Sequence, residues 1–341
     1  MKTIITTIFV LFLINRLAIA QDTMYVYKSG AVSTKLAIVN IDSVIFYKAS
    51  TTQNNTPSQS DLMTQSVSDD LAIRDAQLVI DIDVTNFMSG LSVTKGNGDT
   101  IPCGLKVIDS NKVKKKFHIS YYNGVNCDIN RVKTGDITIQ LINGTQWNEA
   151  GAEIQVNYNV SVTRKVYGKI YTLKGVKTIT NVNGGLIWGR TIDINNIITH
   201  VVDGKDTITF PDGTTRIWEH KVQRTWQQYI AHVWTLTITG LGTSGSYDYL
   251  ATWGVNRKGD NFYSQIKTPI VSINACYWLY PSKGEIIHTI VSTKTSETAS
   301  ITVTLGVDAN GNPPSVNTCA SSYKINWIAQ DGKSGTNVLS Y

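Results

Sequence analysis

Thr207 to Trp226 reads TITFPDGTTRIWEHKVQRTW. The β-prone run Thr207-Ile208-Thr209-Phe210 meets Pro211-Asp212-Gly213, and a second β-prone run continues to Trp226. Proline presets φ for a turn, and Asp-Gly tolerates the left-handed backbone that closes a hairpin. Alternation then puts Trp218, His220, Val222, Arg224 and Trp226 on one face and Glu219, Lys221, Gln223 and Thr225 on the other. This is an antiparallel hairpin, and it sets the reading of its surroundings.

Working outward, candidate strands recur from Leu91 to the C-terminus. Leu105–Ile108, Lys116–Tyr122, Asp136–Ile142, Ala152–Arg164, Val176–Asn181 and Thr191–Val202 precede the hairpin. Val233–Thr239, Asn261–Ile273, Gly284–Thr293, Ser300–Val307 and Tyr323–Ile328 follow it. Polar turn signals separate them, among them Asp109-Ser110-Asn111, Asn143-Gly144, Asp203-Gly204, Lys258-Gly259 and Asn310-Gly311. Strands joined by short polar turns mean antiparallel sheet. The expected fold is therefore all-β, with hairpin-rich antiparallel sheets forming a sandwich or a curled open barrel. The aromatic complement suits cross-strand packing.

Residues 1–20 carry the features of an export signal: Lys2, the apolar run Ile4 to Ile14, and the small residues of Ala18-Ile19-Ala20. Cleavage after Ala20 is expected, and no later segment is apolar enough for a transmembrane helix in the mature chain. Residues 21–48 form a small β unit, 49–67 a polar linker, and 68–90 a connector. In that connector Ser68 or Asp69 can cap a helix ending near Phe87, with a strand over Val79 to Val84 as the alternative. Residues 91–341 make the all-β region, with a division into two sub-domains expected near 170–190.

The net charge of +6 is mild, and Lys112 and Lys114-Lys115-Lys116 fit an exposed hairpin turn. A nucleic-acid partner would call for a denser basic patch. The four cysteines, Cys103, Cys127, Cys276 and Cys319, suit disulfides in an exported chain, and no close pair suits a metal. Antiparallel return across the predicted hairpins brings Cys103 towards Cys127 and Cys276 towards Cys319.

Two resemblances accompany this reading. Tyr25-Val26-Tyr27-Lys28-Ser29-Gly30 and Ile41 to Tyr47 resemble an N-terminal segment found on many exported proteins of the Bacteroidota. Residues 103–341 are similar to a family of uncharacterised secreted proteins and lipoproteins of the same group. Cys103 to Cys127, Arg131 to Leu141, Ala150 to Ile154, the opening hairpin, Asn256 to Ile270, and Cys276-Tyr277-Trp278 with the Cys319 region carry the likeness. It implies an all-β fold and export to the periplasm, cell surface or exterior, and it implies no activity. Pro313 to Thr318 departs from the family's Gly-Asp-Gly before the last cysteine.

The chemistry-bearing patterns are weak. Leu78 to Thr85, LVIDIDVT, fits the DxDxT pattern of haloacid-dehalogenase-like phosphatases, but that chemistry needs a parallel sheet with helices. Asp308-Ala309-Asn310-Gly311-Asn312 spaces oxygens like a calcium loop without the closing acid, and a hairpin turn explains it equally well. The five histidines sit in no catalytic or zinc-binding motif, so no catalytic residue, metal or cofactor is assigned. Trp218, Arg224 and Trp226 form a candidate ligand-facing strip, with a buried core stripe as the alternative. The function expected is a non-enzymatic binding or cell-envelope component, its partner a glycan or another envelope component. The alternatives are a secreted glycan-acting hydrolase and an adhesin module.

Overall fold

Phe210 and Thr214 close the turn of the decisive hairpin: the Phe210 amide donates to the Thr214 carbonyl at 2.9 Å and the Gly213 amide to the Phe210 carbonyl at 2.9 Å. Gly213 sits at φ +82°, in the left-handed region that favours glycine. The strands on either side are β8 (Ile197–Thr209) and β9 (Thr215–Ile230), paired from Thr209↔Thr215 to Ile197↔Gln227. The structure is a computed structural model. It describes residues 23–28, 31–37, 59–92, 104–111, 113, 115–122, 131–165, 168–187, 197–230, 233–276, 280–315, 318–329 and 331–341.

The chain forms two units, 1–56 and 57–341. In the first, β1 (Thr23–Lys28) and β2 (Ala31–Ala37) make the expected antiparallel hairpin. The expected third strand, Ser43 to Tyr47, and the expected export signal at 1–20 lie outside the described residues.

The second unit begins with α1 (Gln59–Ser92). Then come β3 (Leu105–Asn111), β4 (Lys116–Tyr121), β5 (Arg131–Asn143), β6 (Ala152–Arg164) and β7 (Lys169–Asn181), ahead of β8 and β9. They are followed by β10 (Val233–Gly240), β11 (Gly242–Ser244), β12 (Tyr247–Val255), β13 (Asn261–Ile273), β14 (Lys283–Val291), β15 (Thr298–Val307), β16 (Ser322–Ile328) and β17 (Ser334–Ser340). All fifteen strands join one antiparallel sheet, running from β17 through β13, β10 and β9 to β3, with β12 also bridging β9 and β13. Strand accounts for 61 % of the described residues and helix for 14 %, so the all-β class holds.

The sheet curls around α1. Side chains from β4 near one edge and from β17 at the other both reach the same helix: Tyr121 bonds Asp83 at 2.7 Å, and Asn337 bonds Thr64 at 3.3 Å. Inward positions carry the core. On β6, Ala152, Ile154, Val156, Tyr158, Val160 and Val162 are buried, while Gln155, Asn157 and Asn159 alternate outward. A lipid-facing strand would show the reverse, apolar residues outward. Ile73, Ile80, Val84 and Phe87 of α1 join this core. Leu78 joins a second cluster with Ile198, Trp226, Trp234 and Leu236.

Several expectations change. The helix begins at Gln59, so the second half of the predicted 49–67 linker is helical. Met63 and Val67 are buried there, and burial against the sheet stabilises a segment whose composition is mostly polar. The Val79–Val84 stretch is helical, and α1 is the centre of the β region rather than a connector to it. The sheet passes unbroken from β7 to β8, with Thr172↔Thr209 to Asn181↔His200 in register, so no division falls near 170–190. Asp203-Gly204 lies inside β8 instead of in a turn, and Asp109 to Asn111 belong to β3.

Candidate functional site

Five aspartates of α1 are each met by a partner from the sheet or one of its turns. Asp69 accepts from Arg257 Nη2 at 2.6 Å, and Asp70 from Thr252 Oγ1 at 2.6 Å and Ser264 Oγ at 3.1 Å. Arg131 grips Asp75 through Nη2 at 2.5 Å and Nε at 2.9 Å. Asp81 pairs with Arg224 Nη1 at 2.5 Å and with Lys177 Nζ. Asp83 accepts from Lys133 Nζ at 2.5 Å and Tyr121 Oη at 2.7 Å. At about 100° per residue these acids point to different sides of the helix. An enclosing sheet can answer all of them; a single packing face cannot.

Around Asp81 lies a fully enclosed polar cluster. Gln77 Nε2 donates to Asp206 Oδ2 at 2.7 Å and faces His220 Nδ1 at 3.1 Å. Tyr158 donates to Asp206 Oδ1, and Lys177 Nζ stands 4.1 Å from the centre of the Tyr158 ring. Two strand glycines make the room. A Cβ on Gly204 would fall 2.6 Å from Lys177 Cβ and 2.7 Å from His220 Cε1, and one on Gly175 would fall 2.3 Å from Asp206 Oδ1.

Burial favours a raised Asp81 carboxyl, but the charges of Lys177 and Arg224 outweigh it and hold the group below the usual carboxylate range. Burial depresses His220 and His288, and it takes His200, wedged between Trp147 and Trp226, down to about 3. Burial and the neighbouring carboxylates of Asp206 and Asp83 push Tyr158 and Tyr121 well up. These groups are held away from neutral pH, whereas proton-transfer catalysis wants a group poised near it.

Folding also brings together a serine–histidine–acid arrangement that no motif announced. Ser66 Oγ lies 2.9 Å from His288 Nε2, Ser264 Oγ lies 2.6 Å from His288 Nδ1, and Ser264 donates to Asp70. Ser66 sits inside α1, where backbone amides serve the helix, so the neighbouring amides form no oxyanion hole. His288 is 1 % exposed. The arrangement fits a structural relay that ties α1 to β13 and β14.

The expected ligand-facing strip lies inside. Trp218 is buried against Phe210 and Phe262, and Arg224 is spent on Asp81. Trp226 packs in the second cluster. The core-stripe alternative matches these positions, because every inward residue of β9 faces α1 or its surrounding core. Cys276 and Cys319 are bonded, with Cα atoms 5.5 Å apart; Cys103 and Cys127 lie outside the described residues. Asp308 Oδ1 accepts from the amides of Asn310 and Asn312, which makes the calcium-like stretch a hairpin turn. Among the described residues no group of three or more metal-ligating side chains converges.

A cavity of about 410 Å³ opens beside the first half of α1. Leu71, Ala72 and Leu78 of the helix line it, together with Ile238, Ile270 and Leu339 from the sheet. Arg74, Asp75, Arg164, Lys169 and Tyr171 supply its polar side. Pro281, in the connection that Cys276 staples to Cys319, forms part of the rim, and Tyr341 Oη donates to its carbonyl at 3.2 Å. Sequence reading missed this site because its walls come from segments more than 260 residues apart. For the enclosed cluster around Asp81 the local signal was a cation at an inward strand position, Lys177, two residues from the buried Ile179. Comparison of the chain with protein-family models, with curated proteins and with solved structures returns no match.

Proposed function

We propose that this is an exported, disulfide-stapled, non-enzymatic binding protein whose ligand occupies the cavity beside α1. The cavity carries the reading. Its volume, about 410 Å³, falls in the range of small-molecule sites, and its lining joins an aliphatic wall to charged and hydroxyl-bearing side chains. The Cys276–Cys319 bond supports export, since disulfides persist in oxidising compartments. The export features of residues 1–20 and the likeness to secreted Bacteroidota proteins belong to the same reading. The neutral, environment-sensitive probe N-phenyl-1-naphthylamine tests it. Saturable fluorescence gain is expected, lost in Leu339→Trp and Ile238→Trp, which fill the cavity from partly buried positions. No saturable binding, or binding indifferent to both variants, would overturn it.

A second reading, glycan adhesion, has a different support. On the outer face of β12 and β13 the rings of Tyr247 and Tyr263 stack with centroids 4.1 Å apart, Trp253 pairs with Tyr263 across the strands, and Tyr249 is 70 % exposed. Flat exposed aromatics suit sugar rings. Glycan-array binding that disappears in Tyr263→Ser, with an unchanged melting temperature, is the expected result; an empty array would sink this reading.

A further inference from the structure

We infer that the ligand of this cavity is an uncharged amphiphile, an apolar body carrying one hydroxyl or carbonyl group, with that group on Ser272. The inference rests on the cavity being the binding site. It adds the chemistry of what enters.

The charged groups at the cavity are already answered. Arg131 holds Asp75 through two bonds, and Arg74 stands 3.6 Å from the carboxylate of Asp70. Arg164 has an interaction of its own. Lys169 is exposed to water, where an ammonium needs no partner. A charged head entering here would leave water without meeting a free counter-ion, which is costly.

The hydroxyls are a different case. Tyr171 donates to Asp69 at 3.3 Å, and Tyr341 to the Pro281 carbonyl. Ser272, an inward residue of β13, lines the cavity and is 2 % exposed. Its hydroxyl has no hydrogen-bond partner among the described residues. Ser68, which lines the cavity from α1, is likewise without one among them. A serine hydroxyl both donates and accepts, so a hydroxyl or a carbonyl on the ligand would supply the partner that Ser272 lacks.

The same cavity has an aliphatic wall. Leu71, Leu78, Ile238, Ile270, Leu305 and Leu339 offer no charge and no side-chain hydrogen bond. A small polar molecule would leave that surface against water, and a plain hydrocarbon would leave Ser272 unanswered. A molecule with an apolar body and one uncharged polar group answers both.

The test is displacement of N-phenyl-1-naphthylamine from the full chain by a matched ten-carbon series. Decanol and 2-decanone are uncharged, decanoate is anionic, and decyltrimethylammonium is cationic. The expected result is displacement by decanol or 2-decanone at about a tenth, or less, of the concentration that either ion needs. The better of the two tells a hydroxyl head from a carbonyl one. Ser272→Ala should bind the probe as before and raise the concentration needed of that better ligand about fivefold, the loss of one hydrogen bond. Ser272→Val, whose side chain suits a strand, is read in the same way if Ser272→Ala does not fold. Displacement by either ion at a similar or lower concentration, or an uncharged ligand unaffected by loss of the Ser272 hydroxyl, would overturn the inference while the cavity reading stands. Failure of the probe to bind at all would overturn both.

Discussion

Lys177 illustrates what this core asks of single residues. Its ammonium is fully enclosed and pairs with Asp81. Removing it takes one of two cations from the buried Asp81 carboxylate and leaves Arg224 as the other, which costs about 1.5–3 kcal/mol. Lys177→Met should therefore lower stability by that amount in denaturant titration. A loss below about 1 kcal/mol would show that the pair is open to water. Gly204 is sensitive for the opposite reason. Its missing Cβ is the space that Lys177 and His220 occupy, so Gly204→Ala should overpack the site and cost about 1–3 kcal/mol. An unchanged melting temperature in Gly204→Ala would mean that the cluster is looser than described.

At the scale of elements, α1 and the disulfide do different work. The disulfide joins the connection before β14 to the one before β16, closing a loop that spans a sequence separation of 43. In the chain-entropy model such a loop contributes about 4 kcal/mol. Cys276→Ser with Cys319→Ser should lower the unfolding free energy towards that figure, and an unaffected midpoint would show that the connections are held by other contacts. The hairpins were legible because each rests on local chemistry, such as Pro211-Asp212-Gly213 or Asp308 to Asn312. The role of α1 was not. A helix pressed on one side announces itself by an apolar stripe, but α1 is surrounded, so its aspartates break every stripe that could be drawn. Asp75 falls off the helical pattern because it points at Arg131, and Val79 to Val84 imitates a strand because both faces are buried. Trp218, Arg224 and Trp226 were placed correctly on one strand face. Whether that face looks at solvent or at a core depends on how the sheet curls, which no single strand encodes.

For the whole molecule, an acid-sensitive fold follows from the buried groups. His200 falls to about 3 in the folded chain from an ordinary 6.5. The unfolded imidazole gains a proton below about 6.5 while the buried one stays neutral. Its contribution is thus complete above that pH and is lost as pH falls towards 3, at about 1.4 kcal/mol per unit. His220 and His288, also lowered by burial, act in the same direction, and Asp81 adds to the loss below the ordinary carboxylate value. Asp69 opposes them: burial outweighs Arg257 and raises it, so it protonates first in the folded chain and offsets part of the loss. The melting temperature should fall steadily from pH 6.5 to 4, with a shallower fall in His200→Phe; a flat profile would contradict these burials. All of this depends on α1 being enclosed by the sheet, and native-state hydrogen exchange on the full chain tests that most directly. The amides of Asp69 to Thr85 should exchange only through global unfolding, with the same protection and denaturant dependence as β6. Exchange of that segment at the low protection of a surface helix, while β6 stays protected, would contradict it.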